Sequence, residues 1–321
     1  MIRIFSTIND IFTEVGTPAE AKNPWVNLVS PTQFEIEQTA ALTSANLDFL
    51  KAALDEEEQP RLDFEDGQGL IIINVPIKRD TIRFDTIPLG IVITDSFLIT
   101  VCLEQNEVLD ALITSRPKAL HTGKRSRFVL QLLYTTATQY LKYLRQIERK
   151  KDASEAALLK SMKNRELVDL LALSKGLVYF TTSLRSNQAV LGRLLRLHFH
   201  KQTDQAEFSP ILCMYPEDED LLEDVITENK QAIEMGDVYS STLSGMMDAF
   251  ASVISNNLNM VMKFLTSVTI VLAIPSIVSG FYGMNVRLPG QGSPVAFGGI
   301  LLVSLVLGIG AAWALAKRRM F

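Results

Sequence analysis

The sequence predicts an α+β domain, a sheet with helices on its faces, followed by long stalk helices and a two-helix transmembrane hairpin. Three observations carry this. Residues 1–248 hold all 36 acidic side chains and 26 of the 31 basic ones, whereas 249–321 carry only Lys263, Arg287, Lys317, Arg318 and Arg319. The segments Phe264–Val286 and Ala296–Ala316 contain no charge over 23 and 21 residues, and a bilayer core of about 30 Å needs about 20 helical residues. Between Pro216 and Pro275 there is no proline, and glycine occurs only at 236 and 245.

The first ~115 residues alternate strand and helix signals. Ile2–Ser6, Trp25–Val29, Leu70–Ile77, Ile87–Thr94 and Phe97–Leu103 read as strands, the last two joined by the turn Asp95-Ser96. Thr32 and Glu35 are spaced as a capping box. Ala45–Leu54 and Glu107–Thr114 read as further helices, and such alternation implies a sheet covered by helices. From Gly123 the pattern turns helical. Residues 124–200 lack proline, which predicts a hairpin of two long helices bending near 150–165, followed by a loop over Lys201–Tyr215.

Pro216 and the acids at 217–220 suit a helix start, since proline fits the first turn and carboxylates complement the positive dipole end. Apolar residues then recur at steps of three and four into the first apolar run. A helix over 217–282 spans roughly 100 Å at 1.5 Å per residue, a stalk that packs against copies of itself. The boundaries are 1–122 for the α/β domain, 123–215 for the helical hairpin and 216–263 for the stalk. The first span is 264–286, the external loop 287–295, the second span 296–316 and the basic tail 317–321. Lys263 and Lys317-Arg318-Arg319 lie at one membrane face and only Arg287 at the other, which places both termini in the cytoplasm.

Several function classes are excluded. An acidic body without a basic stripe is a poor nucleic-acid binder. Cys102 and Cys213 stand far apart, so neither a disulfide framework nor a CxxC site is present. The N-terminus interrupts its one apolar stretch at Asp10 and does not read as a signal peptide. His198 and His200, two apart on a helix, point away from each other, and no catalytic constellation can be assembled.

Where this helix enters and crosses the first span, Asn259, Met262, Thr266, Thr269, Ala273, Ser276 and Gly280 form one stripe of small or mildly polar residues. Spacing alone leaves two readings open, helix packing and a pore wall. Gly283-Met284-Asn285 then follows the span, just before a short loop and a last apolar helix. That tripeptide in that place resembles the CorA family of divalent-cation transporters. Ser255-Asn256, Asn259, Met262-Lys263, Leu265-Thr266, Pro275 and Gly280 add to the likeness, which is sharp over about 216–316 and architectural before it.

The resemblance implies a homopentameric funnel in the plasma membrane, with five first spans lining the pore and the stripe, Leu265 included, as its wall. Gly283, Met284 and Asn285 would be the selectivity filter, with a ring of Asn285 amide oxygens holding a hydrated ion. Mg²⁺ favours such oxygen ligands and dehydrates reluctantly. Met262 and Leu265 match an apolar constriction that gates by dewetting. Mg²⁺ would be both the cargo and the cytoplasmic regulator, with no cofactor and no enzymatic step, and Co²⁺ and Ni²⁺ as further cargo. Asp224 falls where the family carries a regulatory carboxylate, and Asp80 or Asp85 of a neighbouring copy are candidate partners. The external loop departs from the family in having Arg287 and no acid. The alternatives are a proton-coupled Zn²⁺ transporter of the ZntB branch and a non-conducting membrane sensor.

Overall fold

The computed structural model of the chain describes residues 2–8, 11–17, 23–115, 120–161, 164–201, 212, 215–284 and 295–318. It divides into two units, 1–244 and 245–321. In the first, strands β1 (Ile2–Ile8), β2 (Ile11–Glu14), β3 (Trp25–Val29), β4 (Arg61–Glu65), β5 (Gln68–Lys78), β6 (Phe84–Ile93) and β7 (Leu98–Cys102) form one sheet ordered β2-β1-β3-β7-β6-β5-β4. Only the β3–β7 pairing is parallel.

Both faces of the sheet are covered, and the strand sequences show why. Ile71, Ile73, Val75 and Ile77 of β5 join one apolar cluster, while Leu70 and Ile72 join another. The near-continuous apolar run of β5 is what a two-sided burial demands. Helices α1 (Gln33–Thr43) and α2 (Leu47–Ala52) cover the second face. Helices α3 (Glu107–Ser115), α4 (Arg125–Ser161) and α5 (Asn164–Lys201) cover the first, together with the start of α6 (Pro216–Tyr282). The capping box at α1 is formed as expected: Thr32 accepts from the Glu35 N–H, and Glu35 accepts from the Thr32 N–H.

Two strands escaped the sequence reading. β2 has four residues beside the polar pair Asn9-Asp10, and β4 alternates charge with Leu62 and Phe64. Asp66 and Gly67 join β4 to β5 with φ of 48° and 74°, the two-residue turn that Asp-Gly favours. That dipeptide was the signal that could have revealed β4.

A proline within the sheet is offset by a polar network. Pro88 lies opposite Asn74 and has no N–H to offer it. The Asn74 carbonyl instead accepts from Asn187 Nδ2 at 2.8 Å and from the Tyr140 hydroxyl at 3.0 Å, and its N–H donates to Asn187 Oδ1. This network fastens α4 and α5 to β5. On the other face α2 lies so close that a Cβ added at Gly90 would sit 2.6 Å from Ala53 Cβ. Gly90→Val is therefore expected to destabilise the sheet domain by about 1–3 kcal/mol, read as a lower urea midpoint of Trp25 fluorescence in the full chain.

Among the described residues three helices are long and apolar enough to cross a membrane, including Arg165–Leu197 of α5. Unlike the two charge-free runs, Arg165–Leu197 carries seven charged residues. In α5, however, 39% of the apolar window is buried within the chain, against 6% in α6 and in α7 (Ala296–Lys317). Leu170, Leu173, Leu177, Phe180 and Leu184 are buried, and α5 packs on β5 and β6. Its apolar content belongs to the sheet domain. The second unit holds the rest of α6 and α7.

Candidate functional site: the face of helix α6

Helix α6 continues without a break from Pro216 to Tyr282. Pro275 lies within it and leaves the Val271 carbonyl without its intrahelical N–H partner. Thr269 and Ser276 turn their hydroxyls onto the carbonyls of Leu265 (2.8 Å) and Leu272 (3.3 Å). The helix closes with the Gly283 N–H on the Ser279 carbonyl at 2.9 Å and the Met284 N–H on that of Phe281 at 3.3 Å.

The two faces of α6 in the second unit differ sharply. Ser267 is fully buried, and Val268, Val271, Ile274 and Val278 are partly shielded. On α7 the shielded residues are Ile300, Ser304, Gly308, Ala311, Ala312 and Leu315. The stripe singled out in the sequence is exposed instead: Asn259, Met262, Leu265, Thr266, Thr269, Ser276 and Gly280 are open to solvent and Ala273 is half-buried. At 3.6 residues per turn the two stripes lie about 180° apart around α6. The small polar stripe is thus not the face shielded within the chain. The shielding stripe was missed from sequence, although Ser267, Ser304 and Gly308 are the small residues that close helix approach prefers.

Gly283 and Met284 end the helix with Met284 half exposed. Asn285, the third member of the tripeptide, lies outside the described residues, as do the loop 286–294, Arg319, most of the 201–215 connection and the side chains of His198 and His200.

The three candidate regulatory carboxylates occupy different surroundings. Asp224 is exposed on α6. Asp80 Oδ1 accepts from the N–H groups of Arg83 and Ile82 at 2.7 and 2.8 Å, and its Oδ2 accepts from Arg83 Nε at 2.6 Å. Those backbone donors, first that of Arg83, hold its carboxyl down at about 2. Asp85 accepts from the Thr86 N–H at 2.9 Å and lies 3.5 Å from Arg79 Nε, which also brings Glu104 onto the Arg79 guanidinium. Among the described residues no group of three or more His, Cys, Asp or Glu could hold a metal ion.

These carboxylates also sit at different levels. Phe84 meets α5 at Gly176. α6 runs antiparallel to α5, with Gly236 against Thr181 and Asn229 Nδ2 on the Leu184 carbonyl. Asp224 then falls beside residue 190 or so of α5, roughly 20 Å along the helix from the 79–85 loop. Within one chain they cannot share an ion.

Beyond its geometry, the chain matches the family model described as "CorA-like Mg2+ transporter protein" over residues 20–318. It belongs to the CorA-like family. Among curated proteins it is similar to the cobalt/magnesium transport protein CorA of Methanocaldococcus jannaschii, with 28% identity over 288 residues, 88% of this chain and 86% of that one. The solved structure of the complete CorA magnesium transporter of the same organism aligns with a TM-score of 0.77 at 24% identity, covering 99% of this chain and 96% of the other. Full-length CmaX aligns with a TM-score of 0.66 at 15% identity over 97% of each chain. The ZntB cytoplasmic domain of Vibrio parahaemolyticus gives 0.57 at 14% identity, over 79% of this chain and 96% of that one. At these identities the structural likenesses show the shared fold, which CorA-like and ZntB proteins have in common. The sheet-plus-helix domain, the long helices and the terminal apolar helix thus follow the CorA architecture.

Proposed function

We propose that this chain is one subunit of a homopentameric Mg²⁺ transporter in the plasma membrane, both termini cytoplasmic, with Co²⁺ and Ni²⁺ as further cargo. The observation that carries the reading is the exposed small-residue stripe of α6. It lies opposite the shielded face and leads to Gly283-Met284-Asn285. Five such stripes facing one axis make a pore wall, and Met262 and Leu265 make its apolar constriction. The membrane potential supplies the drive, about 4–5 kcal/mol per divalent ion for each 100 mV.

Regulation by cytoplasmic Mg²⁺ follows from Asp224 meeting a carboxylate of the neighbouring copy. Because Asp80 and Asp85 are engaged by arginines, an ion bridging to either must displace a guanidinium. Asp224→Ala is the simpler probe of this regulation.

The deciding experiment is Mg²⁺ entry into proteoliposomes held inside-negative, comparing the unaltered chain with Asn285→Ala. Voltage-driven uptake that the substitution abolishes or makes unselective supports a filter at Asn285. Uptake indifferent to it removes Asn285 from the filter. Zn²⁺ uptake that follows a pH gradient in place of Mg²⁺ entry overturns the reading in favour of the ZntB branch, and no flux of either ion favours a sensor.

A further inference from the structure

The C-terminal end of α7 carries an aromatic-cation pair on the side turned away from its shielded stripe. Trp313 is 67% exposed, and Lys317 Nζ lies 5.3 Å from its ring centroid. The shielded residues Ile300, Ser304, Gly308, Ala311, Ala312 and Leu315 define one side of the helix. At 3.6 residues per turn, Trp313 and Lys317 both fall on the opposite side, in line with the exposed Val306 and Ile309. Arg318 follows at the cap, where its N–H closes the last carbonyls. The outer face of the helix therefore ends as an apolar stripe, an indole one turn from the end, and the Lys317 cation beyond it.

From this arrangement we propose that Trp313 and Lys317 form a binding site for the headgroup of an anionic phospholipid. The indole sits at the boundary between acyl chains and headgroups, where its apolar body and N–H are both accommodated. The Lys317 ammonium then stands at the level of the lipid phosphates, with its stem folded against the ring. Each cation near an anionic surface favours it roughly fivefold. A zwitterionic headgroup presents the same phosphate but adds a fixed positive charge, which repels Lys317. The proposal rests on α7 crossing the bilayer, as in the function proposed above.

The chain contains two tryptophans, and Trp25 is fully buried in the sheet domain, so lipid quenching can be followed at Trp313. The full chain is reconstituted in phosphatidylcholine vesicles containing acyl-brominated phosphatidylglycerol or, separately, acyl-brominated phosphatidylcholine, with Trp313→Phe as the control for Trp25. We expect an apparent preference for the anionic lipid of roughly fivefold. Lys317→Gln lowers it by about fivefold with Trp313 still quenched by both lipids. Equal quenching by both lipids in the unaltered chain overturns the site while leaving the membrane reading standing. Quenching by neither, in protein that is inserted by protease protection, places this face against protein and also overturns it. A preference unchanged in Lys317→Gln, or one abolished by inorganic phosphate at constant ionic strength, rejects Lys317 or the lipid source respectively.

Discussion

Thr269→Lys is expected to abolish Mg²⁺ uptake while leaving an inserted, correctly sized assembly. Thr269 is exposed on the α6 stripe, and its hydroxyl bonds only back to the Leu265 carbonyl. Lysine there disturbs no shielded contact. If five copies face one pore, five ammonium groups surround the path of a divalent ion. At roughly 7 Å and the dielectric of water, each repels the ion by about 1 kcal/mol, so five impose about 6 kcal/mol. That corresponds to a fall in rate on the order of ten-thousandfold. Screening by salt that removed half of it would still leave about a hundredfold. Thr269→Ser keeps the hydroxyl and should transport normally. The assay is Mg²⁺ entry into proteoliposomes, with size-exclusion of the detergent-solubilised protein as the integrity check. Wild-type uptake by Thr269→Lys would put the pore on another face of α6.

What could be read from the sequence follows from how local each determinant is. The two apolar runs, the Thr32–Glu35 cap and the proline-free stretch after Pro216 are local, and α1, α6 and α7 stand where they predict. β4 is stabilised by pairing with β5 and by packing of Leu62, a non-local matter, and its charges hid it. The stripe on α6 was visible as spacing. Its separation from the shielded stripe was not, because a period of 3.6 gives the angle between residues but not which side is covered. The arginines beside Asp80 and Asp85 were plain in sequence at positions 79 and 83, yet only the folded loop shows that they engage those carboxylates. Asp80 in particular closes a turn through two backbone N–H groups, a structural use that competes with metal binding.

Trp25→Ala is expected to destabilise the sheet domain more than any other single truncation considered, by about 3–5 kcal/mol. Trp25 is fully buried on β3 and lies 4.9 Å from the rings of both Phe5 and Phe128 and 6.1 Å from Phe12. It thereby ties β1 and β2 to α4. Its Nε1–H donates to Thr100 Oγ1 at 2.8 Å, and that hydroxyl donates to Asn27 Oδ1 at 2.9 Å, a chain across the one parallel pairing of the sheet. Alanine removes the ring contacts, leaves a cavity among aromatic side chains and strips Thr100 of its donor. Trp25→Phe keeps most of the apolar contact and loses the hydrogen bond, so about 1–2 kcal/mol is expected. At roughly 2–4 °C per kcal/mol for a unit of this size, the alanine variant should melt about 6–20 °C below the parent, followed by circular dichroism of the full chain. Because Trp25 lies in the sheet core of the first unit and the stripe belongs to the second, uptake per folded molecule should be unchanged. A Trp25→Ala variant that melts with the parent would mean the aromatic cluster is not what couples β1, β3 and α4. A stable variant with altered ion preference would instead join the sheet core to the pore.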